Sequence, residues 1–411
     1  MSSPSVAQIA KKTSYEFAKC NEDDRCLAIK EIAVNLTNQM DEILNANKID
    51  VKNAMKEGLT SAMIDRLKLD ENNISAIVKG CLAIAAQERV VGKMLESKTR
   101  SDGLVIQKEQ IPLGVIGMIF ESRPNVVIDC SCLAIKSGNC IILKGGKEAI
   151  HSNQVLAKIV RSSIEKHIPK DVVQMISSHE EVGELLNQVG LVDVIIPRGG
   201  EKLINFVYEN SKVPVIAHFK GLCHIFVDES AELESTIKII LNAKTQRPGV
   251  CNAVETLLLH QDLPRNFVDD IFQALLDKGT ELRICQKTAT SIKNVKKTTP
   301  SDWETEYLDN ILSVKTVASV EDAIQHIQHY GSHHTEAILS KNLKNIELFK
   351  SQVDASSIMI NASTRFNDGG EYGLGAELGI STTKLHAYGP MGADQMTTSR
   401  YVVVGDGHIR N

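Results

Sequence analysis

Gly114-Val-Ile-Gly-Met-Ile-Phe120 and Cys140-Ile-Ile-Leu-Lys144 are two short, almost wholly apolar runs separated by a segment with helical spacing. Such runs are typical of strands that are buried on both faces of a parallel sheet. They predict a βαβ unit, which further runs and amphipathic segments continue. The later strand candidates are Val172–Ile176, Asp193–Pro197, Pro214–Ala217 and His224–Val227, and helix candidates between them include Glu148–Glu165 and Glu232–Leu241.

The same alternation resumes after Cys251, whereas the first ~95 residues have the three- and four-residue apolar spacing of helices. The fold class is therefore α/β, with two doubly wound parallel sheets. The segment Ser399–Asp406 is predicted to be a strand that pairs with residues 103–110. The later strand candidates are Val254–Leu259, Ile311–Val317, Glu336–Leu339 and Ser357–Ile360, and the helix candidates are Arg265–Leu276, Val320–His329 and Leu343–Ser351.

Composition places the chain among ordinary globular proteins. It has 411 residues, of which 43% are hydrophobic and 24% charged, with a net charge of −5. No basic surplus suggests nucleic acid or an anionic membrane as a partner. No secretory signal or apolar run of about 20 residues is evident. The nine cysteines are an odd number without framework spacing, so we expect a reduced, cytoplasmic protein.

Cys251 is the candidate nucleophile among these cysteines. It follows a Pro-Gly turn in Arg247-Pro-Gly-Val-Cys251, and an apolar run begins at Val254. Arg247 places positive charge nearby, and positive charge lowers the pKa of a thiol and favours the reactive thiolate. The alternative is that Cys251 is a small buried hydrophobic residue, as most free cysteines are.

Several common motifs are absent from the chain. No G-x-G-x-x-G, G-x-x-x-x-G-K-[ST] or H-E-x-x-H segment occurs, which argues against a standard Rossmann dehydrogenase, a P-loop enzyme and a zinc protease. His326, His329, His333 and His334 form a cluster that could hold a metal. Because no cysteine or ordered carboxylate set completes a coordination sphere, we expect no metal and expect these rings to hydrogen-bond locally.

The histidine cluster belongs to a longer string with which the chain resembles the γ-glutamyl phosphate reductase family of the aldehyde dehydrogenase superfamily. Other segments resemble the same family, and together they cover nearly the whole chain. The string is Val317, Ala323, Ile324, His326, Ile327, Tyr330, Gly331, Ser332, His334, Thr335, Glu336 and Ile338, and the other segments are 111–117, 120–125, 252–256, 303–315 and 361–370.

The resemblance implies a two-domain fold with a small β flap. It implies an NADP-binding domain at 1–98 and 112–250, a catalytic domain at 251–375, and an oligomerisation flap with a return segment at 99–111 and 376–411. The implied reaction is the NADPH-dependent reduction of L-glutamyl 5-phosphate to L-glutamate 5-semialdehyde and phosphate, the second step of proline synthesis from glutamate. A homo-oligomer is also implied. Whether the upstream glutamate 5-kinase binds the chain stays open.

The resemblance gives Cys251 the role of forming a thioester with the glutamyl group. The side chain of Asn125, which matches a Pro-x-Asn position, and the backbone N–H of Cys251 would bind the oxyanion. The alternative for Asn125 is a helix N-cap. Hydrolytic relatives carry a water-activating glutamate where this chain has Ala217-His218-Phe219-Lys220-Gly221, which favours a reductase. His218 is a candidate substrate contact.

Cofactor residues are also carried over from the resemblance. Lys144 matches a lysine that contacts the adenosine ribose, and Lys147 stands where NAD-preferring relatives often have glutamate, so NADP is expected. Arg198 and Gly199 are expected beside the cofactor, and Glu306 is expected at the nicotinamide ribose. The alternative for both lysines is a solvent-facing position at a helix start.

The substrate carries a phosphate and an α-carboxylate, for which Arg123, Arg247 and Arg365 are the candidate partners. Each arginine could equally form a structural ion pair. Two other functions stay open at this point. One is a hydrolytic NAD(P)-dependent aldehyde dehydrogenase, and the other is a non-catalytic cofactor-binding relative.

Overall fold

The computed structural model describes residues 4–217 and 220–410, which form two compact units. Unit 1 comprises residues 1–217, 373–379 and 391–411, and unit 2 comprises 218–372 and 380–390. The units therefore divide at 217/218 and not at the predicted 250/251. The reason is that the strand Cys223–Val227 pairs inside the second sheet, so the chain enters unit 2 before Cys251.

Helices that precede the first sheet occupy the first part of unit 1, as predicted. Three of them begin with reciprocal capping boxes at Ser5, Asn21 and Asp70, which satisfy backbone N–H groups in the first turn. These helices are α1 (Val6–Phe17), α2 (Glu22–Asn38), α3 (Met40–Lys56), α4 (Ser61–Leu67) and α5 (Glu71–Ala86).

The sheet of unit 1 is parallel, with the order β5-β4-β3-β6. The predicted strand at 214–217 is reduced to a single bridge between Val215 and Ile195. The strands are β3 (Val115–Phe120), β4 (Cys140–Lys144), β5 (Val173–Met175) and β6 (Val194–Arg198). The helices of this region are α6 (Val126–Lys136), α7 (Ile150–Ile164), α8 (His179–Leu185) and α9 (Glu201–Asn210).

The sheet of unit 2 has seven parallel strands in the order β10-β9-β11-β8-β7-β12-β13. Its strands are β7 (Cys223–Val227), β8 (Val254–His260), β9 (Glu281–Ile284), β10 (Lys296–Lys297), β11 (Ile311–Val317), β12 (Thr335–Leu339) and β13 (Ser357–Ile360). Its helices are α10 (Leu233–Thr245), α11 (Arg265–Asp277), α12 (Val320–Tyr330) and α13 (Leu343–Gln352). With the first sheet, this arrangement confirms the predicted fold class.

A three-stranded antiparallel sheet completes unit 1, in the order β1-β2-β16. The pairing predicted for the last strand is confirmed, because Thr397 lies opposite Pro112 and Val404 opposite Val105. Strand β1, which lacks an alternating apolar pattern and is exposed at all six positions, was not predicted. The strands are β1 (Met94–Thr99), β2 (Val105–Pro112) and β16 (Thr397–Val404), and β14 (Ile380–Ser381) and β15 (Gly389–Pro390) form a short pair in unit 2.

None of the helices in the described part of the chain is both long and apolar enough to cross a membrane.

Candidate active site

Cys251 lies in the loop between α10 and the amino end of β8, and its free thiol belongs to a half-buried residue. Gly221 packs directly on the backbone of Cys251, so closely that a Cβ at this position would collide with the Cys251 carbonyl group. The thiol of Cys223 donates to the Cys251 carbonyl oxygen at 3.2 Å. The backbone under the candidate nucleophile is therefore held from one side by the segment that leads into β7.

Asn252 holds the other side of this loop. Its amide nitrogen donates to the carbonyl oxygen of Asn367 at 2.9 Å, and its own carbonyl oxygen accepts from the Thr364 hydroxyl at 2.6 Å. Both partners lie in the segment after β13. Because a positioned nucleophile reacts faster than a mobile one, these anchors are relevant to the chemistry of the neighbouring sulfur.

Arg365 is the predicted substrate arginine whose side chain binds to residues of this loop. Its guanidinium contacts the Asn252 side-chain oxygen, and its Nε donates to Gln246 Oε1 at 2.9 Å. Burial is the main cause that lowers its pKa, Arg247 adds to the lowering, and Asp368 and Cys251 oppose it. Arg247 itself is exposed. Because Arg247 and Cys251 both affect the pKa of Arg365, the two arginines and the thiol share one electrostatic neighbourhood.

A buried ion pair lies behind the loop, at the amino end of β8. Lys244 Nζ and Glu255 Oε2 are 2.8 Å apart, and their side chains are 0% and 1% exposed. Burial raises the pKa of Glu255 to about 7 and lowers the pKa of Lys244, while their mutual attraction opposes both shifts. Glu306 also raises the pKa of Glu255, which places this predicted cofactor residue near the same end of β8.

A second buried pair joins adjacent strands of the same sheet. His224 on β7 lies opposite Glu336 on β12, and both its backbone N–H and its Nδ1 lie 2.9 Å from Glu336 Oε2. Burial raises the pKa of Glu336. His224 was missed from the sequence, where it is one residue in an apolar run, and Glu336 was identified only as part of the family string.

Unit 1 holds four of the five predicted cofactor residues, all but Glu306, at or just after the carboxyl edge of its sheet. Lys144 ends β4 beside Ile119 of β3, and Arg198 ends β6 beside Phe120. Gly199 follows Arg198, and Lys147 is exposed in the single turn of 3-10 helix before α7. Ligands of open α/β sheets bind at this edge, so the arrangement suits a cofactor phosphate or ribose.

Two glutamates that were not predicted shape this edge. Glu121 Oε2 accepts from the backbone N–H of Gly200 at 2.8 Å and packs so closely on Gly199 that a side chain there would collide with it. Glu148 Oε1 accepts from the backbone N–H of Ser122 at 2.6 Å. Both carboxylates thus accept hydrogen bonds from backbone N–H groups. Neither Lys144 nor Lys147 forms an ion pair within the described residues.

Asn125 begins α6, but its side chain does not cap the helix. Instead, its amide nitrogen donates to Asp129 Oδ2 at 2.8 Å, one helical turn further on. Burial raises the pKa of Asp129 to about 6, the hydrogen bond from Asn125 and the charge of Arg198 oppose the rise, and Glu377 adds to it. The capping alternative is wrong for this side chain, and Asp129 was not predicted.

The guanidinium of Arg198 binds to residues of the segment 373–379, which returns to unit 1. Its guanidinium donates to the Leu378 carbonyl oxygen and lies 3.4 Å from Glu377 Oε1. Arg123 is half-buried in the turn between β3 and α6. His218 lies outside the described residues.

Three of the four clustered histidines have separate hydrogen-bond partners, and the fourth, His329, packs edge-on against the Tyr330 ring. His326 Nδ1 meets Lys315 at 2.9 Å, His333 Nδ1 meets the Asp354 carbonyl oxygen at 2.8 Å, and His334 Nδ1 meets the Thr335 hydroxyl at 2.7 Å. Within residues 4–217 and 220–410, the grouping of three possible metal ligands is instead Glu229, His260 and Asp262. The local hydrogen bonding expected of the cluster is present.

Comparisons with known proteins place this site in context. Residues 4–289 match the aldehyde dehydrogenase family. The chain is 47% identical over 407 residues to the gamma-glutamyl phosphate reductase of Thermoanaerobacter sp. (strain X514), covering 98% of each chain. It superposes on the crystal structure of the Thermotoga maritima gamma-glutamyl phosphate reductase with a TM-score of 0.95 and 41% identity over 99% of each chain.

A more distant structure shares the fold alone. The acetylating aldehyde dehydrogenase of Geobacillus thermoglucosidasius is 17% identical, has a TM-score of 0.71, and is matched over 99% of this chain and 97% of its own.

Proposed function

Since the chain belongs to the γ-glutamyl phosphate reductases of the aldehyde dehydrogenase family, we propose that Cys251 is the nucleophile in its reaction. The reaction is the NADPH-dependent reduction of L-glutamyl 5-phosphate to L-glutamate 5-semialdehyde and phosphate, the second step of proline synthesis. The observation that carries the proposal is a half-buried thiol that forms no disulfide, on an anchored loop, beside Arg365.

The chemistry begins with the Cys251 thiolate. Its sulfur attacks the acyl carbon, a C–S bond forms, and the C–O bond to phosphate breaks with its electron pair leaving on the phosphate. NADPH, when bound, would supply the hydride that reduces the resulting thioester. The C–S bond then breaks, which releases the aldehyde and restores the thiolate. Arg365 and Arg247 favour the thiolate and the anionic leaving group, because positive charge stabilises both.

Asn125 and the backbone N–H of Cys251 are the proposed donors to the oxyanion. Asn125 uses one amide hydrogen for Asp129, which leaves the second for the substrate. Asp129 fixes the direction of that second hydrogen, and a preorganised donor of this kind is worth about 3–4 kcal/mol at the transition state.

The carboxyl edge of the unit 1 sheet is the proposed NADP site, with unit 1 as the cofactor-binding unit and unit 2 as the catalytic one. Asn153 is fully buried beside Gly145, and neither atom of its amide has a partner in the described structure, so a polar ligand at this edge suits it. Lys144 would hold the ribose. Lys147, exposed and without a carboxylate partner, would hold the 2′-phosphate. Arg198, Gly199 and Glu306 stay proposed cofactor neighbours.

We also propose that the protein is a cytoplasmic homo-oligomer. No disulfide joins any two of the nine cysteines, all of which lie in the described residues, and this suits a reducing compartment. Strand β16 is an edge strand, and Tyr401, Val403 and Val404 on it are exposed. Such an edge is suited to covering by a second copy of the chain.

The test runs the reaction in reverse, with glutamate semialdehyde, phosphate and either NADP⁺ or NAD⁺. We expect phosphate-dependent reduction of NADP⁺, which Cys251→Ala abolishes and which the matched change Cys20→Ala, at another half-buried cysteine, leaves intact. Substantial turnover in Cys251→Ala contradicts the thioester route. Oxidation that needs no phosphate identifies a hydrolytic aldehyde dehydrogenase instead.

A further inference from the structure

A large cavity of unit 2 lies away from Cys251. It encloses about 980 Å³ at the carboxyl ends of β8, β9 and β11, where Leu259, Cys285 and Thr316 line it. Cys251 precedes the amino end of β8, and a strand of this length spans ~20 Å. The volume falls within the ~300–1,000 Å³ of small-molecule sites. The cavity is therefore separate from the nucleophile and large enough for a metabolite.

Charge in the cavity wall is predominantly positive. Arg265, Lys287 and Lys315 line it, against Asp322 as the acidic residue. Asp322 Oδ2 is engaged by the backbone N–H of Ala318 at 3.2 Å. Among the residues that the structure describes, no carboxylate forms an ion pair with any of the three cations. The wall also contains Thr288, whose hydroxyl oxygen accepts from the Thr316 hydroxyl at 3.0 Å, so its own hydrogen can be donated.

Lys315 lies among aromatic rings in this wall. Its Nζ is 2.9 Å from His326 Nδ1 and 5.8 Å from the centre of the Trp303 ring. Burial is the main cause that lowers its pKa, and Lys287 adds to the lowering, while Cys285 and Asp322 raise it. A cation beside a second cation, Lys287, and without an ion-pair partner among the described residues is stabilised by a bound anion.

His326 lies in the same wall and accepts a hydrogen bond from Lys315. It is 4% exposed, and burial lowers its pKa to about 2, so the ring is neutral. The Lys315 ammonium can only donate, so Nδ1 accepts and the proton lies on Nε2. That Nε2 has no partner among the described residues. The residue belongs to the family string, as do Val317 and Tyr330 of the cavity wall, and the proposed chemistry of Cys251 uses none of them.

We propose that this cavity binds a small phosphate-bearing anion, at a site distinct from that of the reacting acyl phosphate. Lys287 and Lys315 match the double charge of a phosphate monoester, and the Thr288 hydroxyl can donate to one of its oxygens. The faces of Trp303 and Tyr330 line the remaining volume, where an organic group attached to the phosphate would pack.

Trp303 is the single tryptophan of the chain, so its fluorescence reports on this cavity directly. We would titrate the full-length protein with inorganic phosphate, pyrophosphate and AMP, holding ionic strength constant with chloride. We expect a saturable fluorescence change at millimolar concentrations or below. Tighter binding of AMP would identify a nucleotide-like ligand, and equal binding would identify recognition of phosphate alone.

Two variants decide between this cavity and the site of Cys251. Lys315→Met and Lys287→Ala should each weaken the apparent affinity by about tenfold or more, because each removes one charge from the site. Lys287 is exposed, so its variant keeps the fold even if the Lys315 variant is disturbed. The control Lys278→Met, at an exposed lysine outside the cavity, should change nothing. An unchanged affinity in both cavity variants, or a response that chloride reproduces, would overturn the proposal.

Discussion

The two parallel sheets of this protein carry polar chemistry in different places. In unit 1 the strands β3 and β4 are apolar along almost their whole length, and the polar side chains come at the carboxyl edge, with Lys144, Arg198 and Asn125. In unit 2 charged residues lie on the strands themselves, with Glu255 on β8, His224 on β7 and Glu336 on β12.

The difference follows from where each site lies. A ligand at the carboxyl edge of a sheet needs nothing polar inside it. Cys251 instead precedes the amino end of β8, and the loop that carries it must be fixed from within unit 2. A fully buried charge is tolerated only with a partner, and Glu255, His224 and Glu336 in this sheet all have one. We therefore expect the loss of a buried polar side chain to lower the stability of the unit 2 sheet more than that of the unit 1 sheet.

The largest effect is expected when the buried Lys244–Glu255 pair of the unit 2 sheet is broken. Lys244→Met leaves the Glu255 carboxyl buried without its partner, and we expect the free energy of unfolding to fall by about 3–5 kcal/mol. Denaturant unfolding measures this. The double variant Lys244→Met/Glu255→Leu should recover most of the loss. A single variant as stable as the parent would mean that the pair does not hold this end of β8.

The next effect tests the edge of the first sheet. Asn125→Ala should lower kcat by about 10²–10³-fold, as expected when one oxyanion donor is lost, with little change in stability. Steady-state kinetics and thermal unfolding are both required. Asn187→Ala, at an exposed asparagine of unit 1, is the matched control. An unchanged kcat in Asn125→Ala would remove this residue from the chemistry.

How much of this was predictable differs between the sheets. Apolar runs marked β3, β4, β6 and β8 because strands buried on both faces leave a clear pattern. The runs could not show that β7 belongs to the second sheet, since strand order depends on pairing between distant segments. Strand β1 was missed because both of its faces are exposed.

The site followed the same division. The Pro-Gly turn and Arg247 made Cys251 the candidate nucleophile, and the resemblance added Asn125 and Lys144 as candidates, whereas Asp129, Glu121 and Glu148 were missed. Their roles depend on hydrogen bonds to backbone or to a neighbouring amide, and residue type and spacing carry no signal for these bonds. Asp129 lies four residues after Asn125 on a helix, and this spacing was the one available indication.

A smaller effect is expected in the pH dependence of kcat, through the Asp129 carboxylate at the edge of the first sheet. The pKa of Asp129 is raised to about 6, so its ionised form accepts fully from Asn125 only above that pH. We expect kcat to decline as the pH falls through about 6. Asp129→Asn should remove this inflection and lower kcat at neutral pH by about tenfold, which equals ~1.4 kcal/mol. The pH profiles of both proteins test this, and an inflection that persists in the variant assigns it to another group.

The smallest expected effect concerns cofactor choice at the first sheet. Lys147→Glu reverses the charge that we propose for the 2′-phosphate, so the ratio of kcat/KM for NADP⁺ to that for NAD⁺ should fall by about tenfold. Because Lys147 is exposed, stability should hardly change. The control for net charge is Lys170→Glu, which makes the same change at another exposed lysine of unit 1. A constant ratio would place the 2′-phosphate elsewhere.

The antiparallel sheet has a consequence for synthesis of the chain. Val404 pairs with Val105, and residues 373–379 and 391–411 return to unit 1 after unit 2 has been made. On the ribosome, β2 must therefore wait with one edge uncovered while all of unit 2 emerges, and closing so long a loop is slow. Nascent chains stalled before residue 397 should consequently be the species that chaperones retain and that aggregate first.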